Sequence, residues 1–201
     1  RIIDRLAVLE AKAADDQAND KPEITLLLRE REYLETLKLP ILVDLANAAI
    51  DNGKSVVIFT SFRHSLSWLK DQFSENCSLI WGEQSHRDRE RNVMLFQTNA
   101  TRICIAQVGA GGVGVDLHDI TGKWPREALI CPTFSVVELK QALGRVHRAT
   151  AVSPSLQRIV YLANTVEEKI CRVVKAKLDN LDLLNDGDVH NVILNHLTEK
   201  E

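Results

Sequence analysis

From Gly53 onward the chain alternates short, continuously apolar runs with longer amphipathic ones, and few architectures accept that pattern. The runs are SVVIFT (55–60), SLIW (78–81), RICIAQ (102–107), ALIC (128–131) and RIVYL (158–162). Between and after them, residues 66–74, 86–97, 136–147 and 165–178 carry apolar side chains at helical spacing. A strand that is apolar on both sides must be covered on both faces, and strands separated by helices pair in parallel. The expected fold is therefore α/β, an open parallel sheet with helices on both faces. That core is expected over residues 51–178. A helical extension is expected over 1–50, with helices at 1–14, 23–37 and 40–52, and a C-terminal helical tail over 179–201.

Composition narrows the class of function. The 201 residues, 45% hydrophobic and 26% charged, suffice for a real core. No apolar run approaches the roughly 20 residues that span a bilayer, and the first residues, RIIDRLAVLEAK, lack the apolar core of a signal peptide. A soluble intracellular protein, cytoplasmic or nuclear and without a membrane partner, is expected. A net charge of −3 argues against a basic protein that coats nucleic acid, yet a groove holding a few phosphates needs little net charge. Cys77, Cys104, Cys131 and Cys171 are widely spaced, which predicts buried reduced thiols. His64, His86 and His118 show no metal-ligand spacing, so no metal site is expected.

Sheets of this type bind ligands at the carboxyl ends of their strands. Four motifs lie there in the expected register: TSFRH, GEQSHRDR, GAGGVGVD and PTFSVVELKQALGR. The last continues as QALGRVHRA (141–149). On a helix turning about 100° per residue, Gln141, Arg145 and Arg148 share one face, opposite Leu139, Ala142, Leu143 and Val146. Two guanidiniums and an amide pointing away from a core suit the charge that develops on a transferring phosphoryl group. Gly144 costs about 1 kcal/mol in a helix interior relative to Ala, which suggests that another surface approaches closely there.

The segment GAGGVGVD (109–116) formally matches the dinucleotide fingerprint at Gly109, Gly111 and Gly114. That fingerprint needs a helix beginning at its second glycine, and VDLHDITGKWP has no helical period. The glycines are better suited to bringing backbone N–H groups close to a phosphate chain; a glycine-rich turn without ligand is the plainer alternative. No G-x-x-x-x-G-K-[ST] loop is present, so the chain offers at most half of an ATP site.

Read together, SVVIFTSF, WGEQSHRDRERNVMLFQ, GAGGVGVDL, QALGRVHRA and NTVEEKI resemble the second RecA-like domain of superfamily 2 helicases, most closely the Swi/Snf-like DNA translocases, over roughly residues 38–178. The stretch DLHDITGKWPREALICPTFSVVELKQALGRVHRA looks like the virus-encoded and phage-encoded members of that group. The resemblance implies an ATP hydrolase whose nucleotide lies between two RecA-like domains. The N-terminal one holds ATP and Mg²⁺ with its phosphate loop and acidic motif, and the C-terminal one supplies arginine fingers. By similarity Arg148 is the finger on the γ-phosphate, Arg145 its companion and Gln141 a coupling residue. Gly114, Asp116 and Gly144 then fall on the nucleotide side. Thr60, Ser61, Arg63, Gln107 and the Gly111 and Gly112 amides hold the phosphates of a nucleic-acid partner, read as DNA. The isolated chain is expected to hydrolyse nothing.

Three departures stand out. Gln107-Val108 replaces a Ser-Thr pair frequent in relatives, and Val108 cannot donate to phosphate. The segment ITGKWPRE is an insertion, and Ala149-Thr150 replaces the Gly-Gln of chromatin remodellers. Arg89 matches a frequent arginine, with a salt bridge to Asp88 or Glu90 as the alternative. A non-catalytic RecA-like docking module remains the alternative function, and a dinucleotide-binding domain a third.

Overall fold

The computed structural model describes residues 21–109 and 114–185, with side chains described over 26–109 and 114–178. The helix expected at 1–14, Gly111, Gly112 and the tail beyond residue 185 lie outside the described residues. Five strands, β1 (Ser55–Thr60), β2 (Cys77–Ile80), β3 (Ile103–Gln107), β4 (Arg126–Ile130) and β5 (Leu156–Ile159), form one parallel sheet in the order β2-β3-β1-β4-β5. The helices are α1 (Lys21–Asp51), α2 (Arg63–Phe73), α3 (His86–Gln97), α4 (Val136–Val146) and α5 (Val166–Asn185).

Side-chain alternation along the strands splits the core in two. Val57, Phe59, Cys104, Ala106, Ala128 and Ile130 face α3, α4 and α5. Val56, Ile58, Ile103, Ile105, Leu129 and Cys131 face α1 and α2. Neither face of β1 is wet, as its unbroken apolar sequence requires. All four cysteines are free; burial pushes the Cys77 thiol up to about 11 and that of Cys171 to about 12, so neither is a reactive thiolate at neutral pH.

Two expectations change. The helices read at 23–37 and 40–52 are one continuous helix that runs through Pro40. Proline lacks the N–H that would reach the Thr36 carbonyl, but Pro40 is exposed, where water can answer that carbonyl. The second half of this helix is also no peripheral element. Leu39, Leu42, Ala46 and Ala49 are buried against β1 and β4, supplying part of one core face.

Strand β4 begins two residues before the apolar run does, at Arg126 and Glu127, both buried. Arg126 lies over the Phe96 ring at 4.3 Å and donates to Gln97 Oε1 at 3.1 Å. Glu127 accepts from Lys54 Nζ at 2.7 Å and has Arg158 Nε at 3.2 Å. These partners come from α3, β5 and the loop before β1, so the sequence reads a loop where the structure pairs a strand. Strand β5 is likewise shifted toward the N-terminus of RIVYL.

Leu42→Ala removes a fully buried side chain between α1 and the sheet and should cost about 2–5 kcal/mol in urea unfolding. A loss under about 0.5 kcal/mol, as expected for a surface position, would show that α1 does not belong to the core.

Candidate functional site

The carboxyl ends of β2, β3, β1 and β4 carry the motifs. Ser85 caps α3, accepting the Asp88 N–H at 3.1 Å and donating to the Asp88 carboxylate at 2.6 Å. This starts the helix so that Arg89 turns back under the preceding loop. There its Nη2 donates to the carbonyls of Trp81 and Gly82 at 3.2 Å and of Gln84 at 3.4 Å. Arg89 is buried and directed at carbonyls, while Asp88 bonds Ser85 and Glu90 pairs with His86 at 3.4 Å. The salt bridge considered for Arg89 with either neighbour is not formed.

Helix α4 is capped by Ser135, which accepts the Glu138 N–H at 3.2 Å, and it ends at Val146 with His147 extended (φ −114°, ψ 114°). The Arg145 carbonyl accepts the Leu117 N–H at 2.9 Å instead of continuing the helix. This corrects the helical face read from the sequence. Arg148 lies beyond the helix, and Arg145 is buried, its Nη1 donating to the Val115 carbonyl at 3.4 Å. Gln141 alone of the three stays on the exposed face of α4. Gly144 is exposed, and a Cβ there would meet nothing within 4 Å, so nothing described within the chain demands glycine.

The structure nevertheless brings the two arginines to one carboxylate. Arg148 Nη2 pairs with Asp116 Oδ1 at 2.8 Å, with the side chains 43% and 55% exposed. The Arg145 guanidinium is held below its ordinary pKa first by burial, then by repulsion from Arg148 and Arg89, with Asp116 opposing. Arg145 therefore lies within electrostatic reach of Arg148, Arg89 and Asp116. Gln97, the last residue of α3, holds this loop in place: its Nε2 donates to the Asp116 carbonyl at 2.7 Å and the His118 carbonyl at 3.2 Å. Gly114 is exposed beside it with open space where a Cβ would stand. Residues 114–125 contain no helix, which leaves the dinucleotide fingerprint without the N-terminus it needs.

The second cluster lies where β1 and β3 end side by side, Thr60 opposite Gln107. Thr60 is fully buried and its hydroxyl has no hydrogen-bond partner, so its expected contact with an external phosphate is corrected: the last strand residue points inward. The Ser61 N–H donates to Glu35 at 3.0 Å and the Phe62 N–H at 3.2 Å. Gln107 Nε2 donates to the Ser61 carbonyl at 3.4 Å. Arg63 opens α2, exposed, and pairs with Glu83 at 2.9 Å. Glu35 and Gln97 carry no sequence signal, since each is an ordinary polar residue within a helical pattern.

The insertion after the glycine loop is built around Asp119. Its Oδ1 accepts the Thr121 N–H and hydroxyl, both at 2.9 Å, and the Gly122 N–H at 3.1 Å; Oδ2 accepts the Trp124 N–H at 3.3 Å and the Ser153 hydroxyl at 2.7 Å. Alongside, His118 Nε2 and Thr150 Oγ1 lie 3.0 Å apart. Among the described residues no group of three or more His, Cys, Asp or Glu side chains is arranged to hold a metal ion, and no helix is long and apolar enough to cross a membrane.

The family model described as "Helicase conserved C-terminal domain" matches residues 37–150. A protein of Acanthamoeba polyphaga mimivirus, named as an ATP-dependent RNA helicase, is 36% identical over 187 residues, covering 92% of this chain and 35% of that protein. A CHD3-type chromatin-remodeling factor of Arabidopsis thaliana is 27% identical over 146 residues, covering 70% of this chain and 12% of that one. The crystal structure of the C-terminal part of the Fun30 ATPase domain shares the fold, with a TM-score of 0.58 at 23% identity over 68% of this chain and 45% of that chain. The chain thus spans about a third of the viral relative's length and far less of the plant one's.

The hydrogen bonds to Asp119 outweigh its burial and hold its carboxyl at about 2, below the ordinary 3.8. Because the folded-state value is the lower one, its contribution to stability is complete above about pH 4 and is lost as pH falls toward 2. Asp119→Asn should be less stable than the parent chain at pH 7, with the gap in denaturant midpoint shrinking between pH 4 and 2. A gap independent of pH would show that the charge of Asp119 contributes nothing.

Proposed function

This chain belongs to the helicase C-terminal domain family, and from that premise we propose that it is the second RecA-like half of an ATP-dependent DNA translocase or helicase. In this reading it meets an ATP held by a first half that carries the phosphate loop and Mg²⁺. The observation that carries the reading is the Arg148–Asp116 pair with the buried Arg145, anchored on the Val115 carbonyl, beside it at the carboxyl edge of the sheet.

The two arginines then do different work. Arg145 is buried and anchored on the Val115 carbonyl, so it is a positive charge already in place. Arg148 is half-exposed, and an exposed pair such as that with Asp116 is worth about 0–1 kcal/mol. It can exchange the carboxylate for a phosphate oxygen at little cost. Asp116 parks the finger until nucleotide and the other half arrive. Gly144 and Gln141, exposed on the neighbouring helix, are where that half would close on α4. Bound ATP supplies the γ-phosphoryl group and the developing charge, and this chain orients guanidiniums toward it and excludes water as the halves close.

The nucleic-acid side falls to Arg63, Gln107 and the Gly111 and Gly112 amides. Arg63 is paired only at the surface, and Gln107 is half-buried at the strand end. Because the relatives' names include both an RNA helicase and chromatin-remodeling factors, the strand type is to be read by stimulating ATPase with duplex DNA, single-stranded DNA and RNA in turn. A docking module would respond to none of them.

In a protein joining this chain to a phosphate-loop half, Arg148→Ala should lower ATP turnover by about 10³–10⁵, roughly 4–7 kcal/mol of barrier. Arg148→Lys should recover little of it, since an ammonium lacks the planar fork. Turnover within about tenfold of the parent for Arg148→Ala would sink the finger assignment.

A further inference from the structure

Helix α1 carries a line of charges that reaches the ends of three strands, one of them at the Ser61 backbone. Arg31, Glu35 and Lys38 stand at i, i+4 and i+7, on one face of the helix. Glu35 is 2% exposed and Lys38 is 0% exposed. Each reaches past the carboxyl end of a different strand. Glu35 takes the Ser61 and Phe62 N–H groups after β1 at 3.0 and 3.2 Å. Arg31 donates to the Pro132 carbonyl after β4 at 3.3 Å and lies over the Phe134 and Phe62 rings at 4.7 and 5.6 Å. Lys38 donates to the Val160 carbonyl after β5 at 3.2 Å and pairs with Glu167, which in turn accepts the Leu162 N–H at 3.0 Å.

Buried charges of this kind rarely improve stability over an apolar seam of the same shape, so stability alone does not account for them. What they do in common is hold loops. The turn after β1 shows this most clearly: the peptide joining Ser61 to Phe62 has its carbonyl held by Gln107 of β3 and its N–H by Glu35 of α1, and Glu35 also takes the Ser61 N–H before it. Arg63 follows directly, and its direction is set by that peptide. Arg31 and Glu35 also lie outside the 37–150 span that matches the family model.

We propose that Glu35 is a positioning residue, which fixes the Ser61–Phe62 turn so that Arg63 and Gln107 face a nucleic-acid strand together, with Arg31 and Lys38 bracing the turn against the ends of β4 and β5. This rests on the reading of that edge as a nucleic-acid contact. Glu35 itself, with both oxygens spent on backbone amides, touches no strand.

The test uses the 201-residue chain, with amide hydrogen exchange read by NMR and binding of fluorescein-labelled duplex DNA, its single strand and the matching RNA read by anisotropy. Glu35→Ala should speed exchange at Ser61 and Phe62 by about tenfold or more while the β1 and β3 amides keep their protection, and should weaken nucleic-acid binding by about tenfold. Glu35→Gln, which keeps one acceptor oxygen, should fall between the two, and it decides the matter if the alanine variant does not fold. Unchanged exchange at the two amides, or equal acceleration across the whole sheet, overturns the positioning role. Binding that is strong in the parent chain and unaltered in both variants overturns it alone. A parent chain that binds none of the three probes overturns the nucleic-acid reading and this role with it.

Discussion

A parallel sheet covered on both faces leaves polar groups only its outer edges and the ends of its strands, and the placement of the charged residues follows from that constraint. Val56, Val57, Ile58 and Phe59 use up both faces of β1. Helices must therefore cover both sides, and α1 is drawn into the core by Leu39, Leu42, Ala46 and Ala49. The charged residues that these helices and strands bring inward have to be answered where the strands stop. Glu35, Lys38 and Glu167 find backbone groups and one another at the carboxyl edge, whereas Glu127 finds Lys54 and Arg158.

The same constraint concentrates the candidate chemistry. Loops that leave the strand ends, and the helix turns next to them, are where guanidiniums such as Arg63, Arg145 and Arg148 gather. Arg126 links the two regions. Burial holds its guanidinium below its ordinary pKa, and it rests on the Phe96 ring and on Gln97, whose own amide grips the Asp116 segment. The backbone that carries the carboxylate paired with Arg148 is thus held, through one glutamine, by a buried arginine. Fixed Arg145 beside half-exposed Arg148 is what this scaffold produces: one cation set by packing, the other by a weak surface pair.

Legibility in the sequence followed the physics of each element. Strand β1 and helix α3 have the boundaries that apolar continuity and helical spacing predict. Strand β4 starts early because Arg126 and Glu127 look like loop until their partners on α3, β5 and the β1 approach are known. Two helices merge into α1 because an exposed Pro40 breaks one hydrogen bond without stopping a helix held by the sheet. At the site, the residue types of QALGRVHRA were legible but their directions were not. A helical wheel assumes that the helix continues, and α4 stops at Val146 because Leu117 takes the Arg145 carbonyl. The network around Asp119 was equally invisible, since Ser153 joins it from 34 residues away.

Local pattern alone determined the class of fold and the order of its elements, because hydrophobic period is a property of neighbouring residues. Five motifs in order also pointed to the family whose model matches the chain. Tertiary structure decided which side chains are buried, which of the two arginines is buried and which exposed, and which carboxylate holds which loop. Those outcomes depend on hydrogen bonds and charge pairs between residues tens of positions apart, such as Lys38 with Glu167 and Arg148 with Asp116. No spacing along the chain encodes such a pair until the sheet has brought its members together.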